Sequence, residues 1–354
     1  MSQGGRITYI DAWRFIAVSL VIFAHMVVFS GFSFLVVMYP FLRRLDRFGV
    51  LGVLIFFFIS GFVICRGLIK EKNEHGRLSL RAFYVRRSLR ILPPLWLYMV
   101  TLALFAQSDL IKLSAEKFLY SGLFLSNFDF YVGWYLGHTW SLSYEEQFYL
   151  AFPLLFSVFG LTQRRTLALV TVFACMLLSV EQRLSGNNLP ADYLMYLLYL
   201  LSGCVAALYE HRISALMSRV SFVQWLTVAT VFIVSFMLVP HPFELYAQAT
   251  LYPLLVATLV LATPLHRPRI RSFFHHPLVV QSGRISYTVY LWQQLATATW
   301  PGLNASWTLL FILAVWLLAY VSWHLIETPL IRMGAKWSDA ILSRSRSGQV
   351  PVTK

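Results

Sequence analysis

The sequence predicts an all-α, polytopic membrane protein with about ten transmembrane helices and both termini in the cytoplasm. Of its 354 residues, 58% are hydrophobic and only 12% are charged, whereas soluble domains carry about 25% charged residues. Apolar runs of about 20 residues, which suffice to cross a bilayer, recur along the chain. We predict a transmembrane domain over residues 1–333 and a short, disordered cytoplasmic tail over residues 334–354. The predicted spans lie near residues 8–30, 48–68, 91–108, 142–160, 165–181, 191–210, 221–239, 243–263, 283–301 and 305–328.

The basic residues predict the orientation of these helices. With the spans above, 22 of the 29 Lys and Arg residues lie in loops on one side and six in loops on the other. Loops rich in Lys and Arg stay in the cytoplasm, and an even number of spans returns the chain to the side on which it began. The formal charge of +14 therefore reflects topology and contact with membrane lipids, and we expect no nucleic-acid partner.

The composition predicts neither a metal centre nor a disulfide framework. The three cysteines lie scattered in apolar runs, without metal-ligand or disulfide spacing. No cluster of His, Cys and carboxylate residues has the spacing of a metal site. We therefore predict no bound metal ion.

The first apolar segment, Ile7 to Gly31, carries ionisable residues that a simple membrane anchor would not need. Asp11, Arg14 and His25 lie inside it, and a charge at membrane depth costs about 2.5–3.5 kcal/mol on insertion scales. Arg14 and His25 are eleven positions apart, so at about 100° per residue they share one helix face, roughly 16 Å apart along the axis. Asp11 could pair with Arg14.

His25 has two interpretations from the sequence alone. A neutral imidazole can act as a general base on a hydroxyl group near neutral pH, and the shared face with Arg14 favours this reactive role. The alternative is a core histidine that forms a hydrogen bond between helices.

A basic segment, residues 66–90, is predicted to join the second and third spans on the cytoplasmic side. Arg87 and Arg90 are three positions apart, so they share a helix face at the start of the third span. Guanidinium groups bind phosphate oxygens in a bidentate fork, which suits a phosphorylated ligand. The alternative is ordinary anchoring against anionic lipid, and the composition leaves both open.

The motif TWSLSYEEQFYL, residues 139–150, brings two carboxylates to the start of the fourth span. Glu145 could orient an imidazole or bind a sugar hydroxyl. The alternative is that Glu145 and Glu146 stabilise the helix N-terminus by their negative charge, which contributes about 0.3–1 kcal/mol.

Two further motifs carry polar residues near helix ends. In GRISYTVYLWQQ, residues 283–294, Tyr290 resembles an aromatic belt residue at the membrane interface. In the last span, Glu327 could pair with Arg332, and Pro329 is expected to end the helix.

Taken together, these motifs resemble the acyltransferase 3 family of bacterial inner-membrane enzymes, most of which O-acetylate sugars. The resemblance covers nearly the whole chain and rests on six short motifs that occur in family order. They are Asp11 and Arg14 followed by His25, FFFISGFVI at 56–64, Arg87-x-x-Arg90 before ILPPLW, TWSLSYEEQFY at 139–149, GRISYTVYLW at 283–292, and Glu327-x-Pro329.

The resemblance implies a donor, an acceptor and a division of roles. The donor would be an acyl-CoA, most commonly acetyl-CoA, bound from the cytoplasm with Arg14, Arg87 and Arg90 near its phosphates. His25 would be the catalytic residue, as a general base or as the carrier of a covalent acyl intermediate, and Glu145 would be the family's acidic position. The acceptor would be a sugar hydroxyl of a cell-surface glycan or its lipid-linked precursor, and no tightly bound cofactor is implied.

The remaining motif residues are expected to bind substrate or to support the site; they are Asp11, Trp140, Ser141, Tyr144, Tyr290 and Glu327. The chain departs from the family pattern at Gln293, where many members have His. The resemblance therefore does not assign a role to Gln293.

Two functions of other classes remain open from the sequence. A transporter or flippase of a lipid-linked sugar or anion could use His25 as a proton relay, and it would move substrate without consuming CoA. A structural subunit of a polysaccharide assembly complex would keep its function after His25→Ala. The absence of a visible internal repeat and the Arg-rich cytoplasmic segment favour the acyltransferase.

Overall fold

The structure, a computed structural model, describes residues 7–29, 39–128, 133–159, 161–184, 191–239, 243–300 and 305–347. These residues form helices and connecting turns, without β-strands. In chain order the helices are α1 (Thr8–Phe29), a 3₁₀ helix (Pro40–Asp46), α2 (Arg47–His75), α3 (Leu80–Gln107), α4 (Ala115–Gly122), α5 (Trp134–Gly137), α6 (Thr139–Val158), α7 (Leu161–Leu184), α8 (Ala191–Leu208), α9 (Glu210–Met217), α10 (Phe222–Leu238), α11 (Phe243–Leu261), α12 (Pro268–His275), α13 (Pro277–Arg284), α14 (Ser286–Ala296), α15 (Ala305–Ser322), a π-helical turn (Trp323–Glu327) and α16 (Thr328–Ser347).

The helices have the length and surface of a multi-pass membrane protein. Within the described residues, five helices are long and apolar enough to cross a bilayer, and α8 with α9, bent by 93°, would make a sixth. Large apolar side chains such as Leu254, Leu313 and Leu325 are more than 60% exposed on the helix surfaces, where lipid can cover them. Each of the ten predicted spans overlaps a helix, while the number of spans and the side of the termini stay predictions.

The connection that we predicted as a basic loop is mostly helical. Helix α2 runs on to His75 and α3 begins at Leu80, with Ser79 as its N-cap, so only four residues separate them. The helix begins there because the Ser79 hydroxyl accepts a hydrogen bond from the Ala82 amide. Arg87 therefore lies inside α3, about two turns from its start.

For residues 334–347 the last helix corrects the prediction of a disordered tail, since α16 continues to Ser347. The rest of the predicted tail, residues 348–354, lies outside the described residues. Its packing against α3 explains the order: Arg86 donates a hydrogen bond to Ser338, and Arg77 donates to the Leu342 carbonyl. A local hydropathy pattern does not reveal such contacts.

Pro329 does not end the preceding helix, contrary to the prediction. The chain changes to π-helical hydrogen bonding over Trp323–Glu327 and continues directly into α16. Proline lacks an N–H group and clashes with the carbonyl four residues earlier, and a π-turn is one known way to absorb such a defect.

Helix α2 lies at the centre of the fold, between α1 and α8. Gly61 and Gly203 allow α2 and α8 to approach closely: a Cβ atom at Gly61 would lie 1.8 Å from the Leu200 carbonyl oxygen. Small residues at helix interfaces permit this approach within membranes. The contact holds Ser60, the residue before Gly61, in a fixed position relative to α8.

We expect Gly61→Ala to destabilise the protein strongly, because a Cβ atom cannot fit against the Leu200 carbonyl without moving a helix. Overpacking of a core costs about 1–3 kcal/mol or more. The matched control is Gly67→Ala in the same helix, where nothing lies within 4 Å of the new Cβ atom and helix propensity favours Ala by about 0.5–1 kcal/mol. Thermal unfolding in detergent measures both, and equal melting temperatures would contradict the close α2–α8 contact.

Candidate active site

Helix α1 is held against the junction of α13 and α14. A Cβ atom at Gly283 would lie 1.7 Å from the Asp11 carbonyl oxygen, so the backbones meet at this point. The buried Asp11 carboxylate lies 3.9 Å from Nε of Arg284. This ion pair replaces the predicted pairing of Asp11 with Arg14, because α13 brings a second guanidinium to the same carboxylate.

A small cavity of about 40 Å³ opens beside Arg14. Its polar lining comes from four helices, α1, α2, α6 and α14, and consists of Arg14, Ser60, Ser141, Glu145, Ser286, Tyr287 and Tyr290. Nε of Arg14 is buried without a hydrogen-bond partner among the described residues. A buried donor of this kind is rare in folded proteins, and it is suited to binding an anionic ligand.

Glu145 lies inside α6 rather than at its start, because the helix begins at Thr139. Its carboxylate accepts hydrogen bonds from the Ser60 hydroxyl at 2.9 Å and the Tyr149 hydroxyl at 3.1 Å. The alternative of helix capping is therefore wrong for Glu145. Its carboxyl group instead lines the same cavity as Arg14.

Arg87, on α3, contacts α6 one turn beyond Glu145. Its guanidinium lies over the Tyr149 ring, 5.0 Å from the centroid, and Tyr149 in turn contacts Glu145. A guanidinium that stacks on an aromatic ring keeps its N–H groups available at the ring edge. Arg14 and Arg87 thus lie at the same end of the site.

Arg90, one turn after Arg87, lies near a second buried carboxylate. Glu327 interacts electrostatically with Arg90, and it accepts hydrogen bonds from Thr288 at 2.7 Å and Ser322 at 3.2 Å. These contacts tie α14 to the π-helical turn. Glu327 therefore supports the packing of these helices next to Arg90. It forms these hydroxyl contacts instead of the predicted pair with Arg332.

His25 lies further along α1, about 16 Å from Arg14 at 1.5 Å per residue. Its Nδ1 atom is 2.9 Å from Oε1 of Gln293, and its ring centroid is 5.4 Å from that of Trp134. Gln293 is the position at which the chain departs from the family pattern. The structure thus brings it into direct contact with the candidate catalytic residue.

Ser141 and Tyr290 lie between the Arg14 end of the cavity and a second histidine. Their hydroxyl groups are hydrogen-bonded to each other at 2.7 Å, and both oxygens lie within hydrogen-bond distance of the His138 carbonyl, at 3.1 and 3.2 Å. The buried His138 ring lies between Tyr98 and Tyr290, and neither ring nitrogen has a hydrogen-bond partner in the described part of the chain. Tyr290 therefore belongs to the site rather than to an aromatic belt at the interface.

Trp140 and Tyr144 do not line the cavity. Both rings join an aromatic cluster with Phe57 and Tyr196, where the Trp140 and Tyr196 centroids are 4.8 Å apart. This cluster packs α6 against α2 and α8. The sequence left open whether Trp140 and Tyr144 bind substrate or support the site. Their contacts favour support.

A second pocket, of about 400 Å³, is lined in part by Trp134. Lys112, Lys117, Trp134 and Tyr135 provide its charged and aromatic lining. The Tyr135 ring also contacts Trp300, at 6.1 Å between centroids. Trp134 thus lines this pocket and also contacts the His25 ring.

The sequence reasoning missed several residues that the structure brings to the site. Five such residues line a cavity or contact a residue of the site; they are Ser60, Trp134, His138, Tyr287 and Gln294. Ser60, Tyr287 and Gln294 lie within the motifs 56–64 and 283–294, whereas Trp134 and His138 precede the motif at 139–150. A polar side chain inside an apolar helix was the available signal for Ser60 and Gln294.

The chain is similar to known acyltransferases. A family model described as "Acyltransferase domain" matches residues 7–327. Peptidoglycan O-acetyltransferase OatA of Listeria monocytogenes is 27% identical over 329 residues, which cover 81% of this chain and 52% of the relative. O-acetyltransferase OatA of Staphylococcus aureus is 27% identical over 365 residues, with coverages of 84% and 55%. The chain spans about half the length of these curated relatives, and no solved structure gives a significant match.

Proposed function

Because this chain belongs to the acyltransferase 3 family, we propose that it is an O-acetyltransferase that carries acetyl from acetyl-CoA to a sugar hydroxyl. The names of the relatives, which are O-acetyltransferases, support the reaction. The arrangement along α1 carries the proposal: Arg14 lines a buried cavity, and His25, further along the same helix, contacts Trp134, which lines a pocket with two lysines.

Acetyl-CoA would enter at the end of the site that holds Arg14, Arg87 and Arg90. The nucleotide part of CoA is a polyanion, and Arg binds phosphate oxygens through two parallel N–H groups. The buried Nε of Arg14 and the stacked guanidinium of Arg87 support this assignment. The thin pantetheine arm would then extend toward His25, over the roughly 16 Å that separates the two residues along α1.

His25 would act as the general base of a direct transfer. Its imidazole removes the proton from the acceptor hydroxyl as the oxygen attacks the thioester carbonyl carbon. The carbon–sulfur bond then breaks, and the leaving CoA sulfur takes the proton from the imidazolium. The products are the acetyl ester of the sugar and CoA with a free thiol, and His25 returns to its neutral state.

The acceptor would occupy the pocket beside Trp134 and Tyr135. Aromatic rings offer flat apolar faces for sugar rings, and Lys112 and Lys117 offer positive charge. We therefore propose a glycan that carries a carboxylate or phosphate group near the acetylated hydroxyl. One relative is named for peptidoglycan, which is one glycan of this general class to test.

The proposed topology follows from the charges. Ten spans would place both termini and the Arg87 end of the site in the cytoplasm, where acetyl-CoA is made, and the Lys117 pocket on the outer face. The membrane would be the bacterial inner membrane.

The test uses purified protein in nanodiscs with acetyl-CoA and candidate glycans. Release of free CoA that depends on the glycan, together with acetyl on the glycan, is the expected result. Movement of a lipid-linked sugar across proteoliposomes without CoA release would overturn the proposal in favour of a transporter.

We expect Lys117→Met to raise the KM for an anionic acceptor about 3–10-fold, because the pocket loses one of its two cationic partners. The KM for acetyl-CoA should not change, since Lys117 lies at the acceptor pocket. The matched control is Lys336→Met, which removes an exposed lysine on α16. Steady-state kinetics with a charged and a neutral glycan measures the effect, and equal losses with both glycans would contradict the anionic acceptor.

A further inference from the structure

His25 stands at one end of a short chain of hydrogen bonds that links three segments. Its Nδ1 atom is 2.9 Å from Oε1 of Gln293. Nε2 of Gln293 donates to Oε1 of Gln294 at 2.8 Å. Nε2 of Gln294 donates to the Trp134 backbone carbonyl, also at 2.8 Å. Both glutamines are buried in α14.

The far end of this chain sets the direction of every hydrogen bond in it. A backbone carbonyl can only accept, so Gln294 must turn its NH₂ group toward Trp134 and its oxygen toward Gln293. Gln293 must then donate to that oxygen, which turns its own oxygen toward His25. An amide oxygen also only accepts, and Nδ1 of His25 must therefore carry the proton.

The Trp134 end is well positioned to impose this direction. Nε1 of Trp134 donates to the backbone carbonyl of Gln294 at 2.9 Å, so two reciprocal hydrogen bonds join these residues. The hydroxyl of Thr297 donates to the Gln293 carbonyl at 2.8 Å and fixes the same turn of α14. The indole of Trp134 also packs beside the His25 ring, so one residue restrains both ends of the chain.

We propose that Gln293 and Gln294, oriented by the Trp134 carbonyl, are positioning residues that hold neutral His25 in its Nδ1–H tautomer. The inference rests on the proposed function, in which His25 is the general base. In this tautomer the lone pair lies on Nε2, the atom that would take the proton from the acceptor hydroxyl. The imidazolium that forms keeps its Nδ1–H bond to Gln293, whose oxygen stabilises the new charge.

The first test measures the tautomer directly, without substrate. Protein labelled with ¹⁵N-histidine is studied in nanodiscs by NMR at pH 8, and comparison with His25→Ala assigns the His25 signals among the nine histidines. We expect one tautomer with the proton on Nδ1. A proton on Nε2 in the wild-type protein would overturn the inference.

The second test removes each amide in turn. Gln293→Met deletes the acceptor and Gln294→Met frees Gln293 to rotate, so both variants should show mixed tautomers. In metal sites, loss of the group that orients a histidine costs about 10–100-fold, and we expect a loss of similar size in kcat here, with an unchanged KM for acetyl-CoA. The matched control is Gln248→Met, another buried amide, which pairs with Glu244 away from the site and should leave kcat unchanged.

The outcomes separate this inference from the proposed function. Suppose that the wild-type protein has the Nδ1–H tautomer, that Gln293→Met has a mixture of tautomers, and that the wild type transfers no acetyl group. This result would support the tautomer assignment and overturn the proposed function. Active protein in which Gln293→Met keeps the wild-type kcat and a single tautomer would overturn the inference and leave the acyltransferase standing.

Discussion

Replacing His25 by alanine is expected to lower kcat for acetyl transfer by about 10²–10⁴-fold, the usual contribution of a general base. Binding of acetyl-CoA should keep its affinity, because Arg14 lies about 16 Å away along α1, and the other two arginines proposed for the phosphates, Arg87 and Arg90, lie on α3. The variant removes an imidazole that contacts Gln293 and Trp134, so its melting temperature must be measured beside its activity.

The control for this variant is His266→Ala, which removes an exposed histidine outside the site. Binding of acetyl-CoA by calorimetry and release of CoA in the presence of glycan separate the two steps. A His25→Ala protein with full turnover would contradict the catalytic role. Accumulation of a competent acetylated wild-type enzyme without acceptor would instead show a covalent route.

Replacing Arg87 by methionine is expected to weaken acetyl-CoA binding by about 10–100-fold. A hydrogen bond to a charged group contributes about 1.5–3 kcal/mol, and methionine keeps part of the apolar contact with Tyr149. The loss should appear in the Kd and in the KM for acetyl-CoA, with a smaller change in kcat.

Two comparisons make the Arg87 prediction specific. Arg81→Met removes an exposed arginine from the same helix, and we expect it to bind acetyl-CoA as the wild type does. Acetyl-pantetheine lacks the phosphates, so Arg87→Met should bind it as tightly as the wild-type protein. Equal weakening for both donors would show that Arg87 supports the site without contacting phosphate.

The membrane class and the helices could be predicted from the sequence because both depend on local properties. Hydropathy and helical periodicity act over about 20 residues, and each predicted span overlaps a helix. The shared face of Arg14 and His25 is likewise a property of one helix. Six motifs in order also identified the family, which the match over residues 7–327 confirmed.

The errors of the sequence reasoning fall where distant segments meet. Asp11 pairs with Arg284 rather than with its neighbour Arg14, and the segment from residue 334 is helical because it packs on α3. Local spacing predicts which residues could interact on one helix. It does not predict which other helix competes for the same side chain.

The sequence by itself predicted the class of protein, ten segments that each overlap a helix, and the residues of α1 that we place at the site. Only the tertiary structure decided their partners: Gln293, 268 residues after His25, and Ser60, 85 residues before Glu145. The physical reason is that these contacts depend on how closely the helices pack, which glycines such as Gly61 and Gly283 permit and which no local pattern encodes. The direction of the hydrogen bond at His25 depends in the same way on the backbone carbonyl of Trp134. Every residue has a backbone carbonyl, so the sequence does not reveal this contact, and only the fold places this carbonyl beside Gln294.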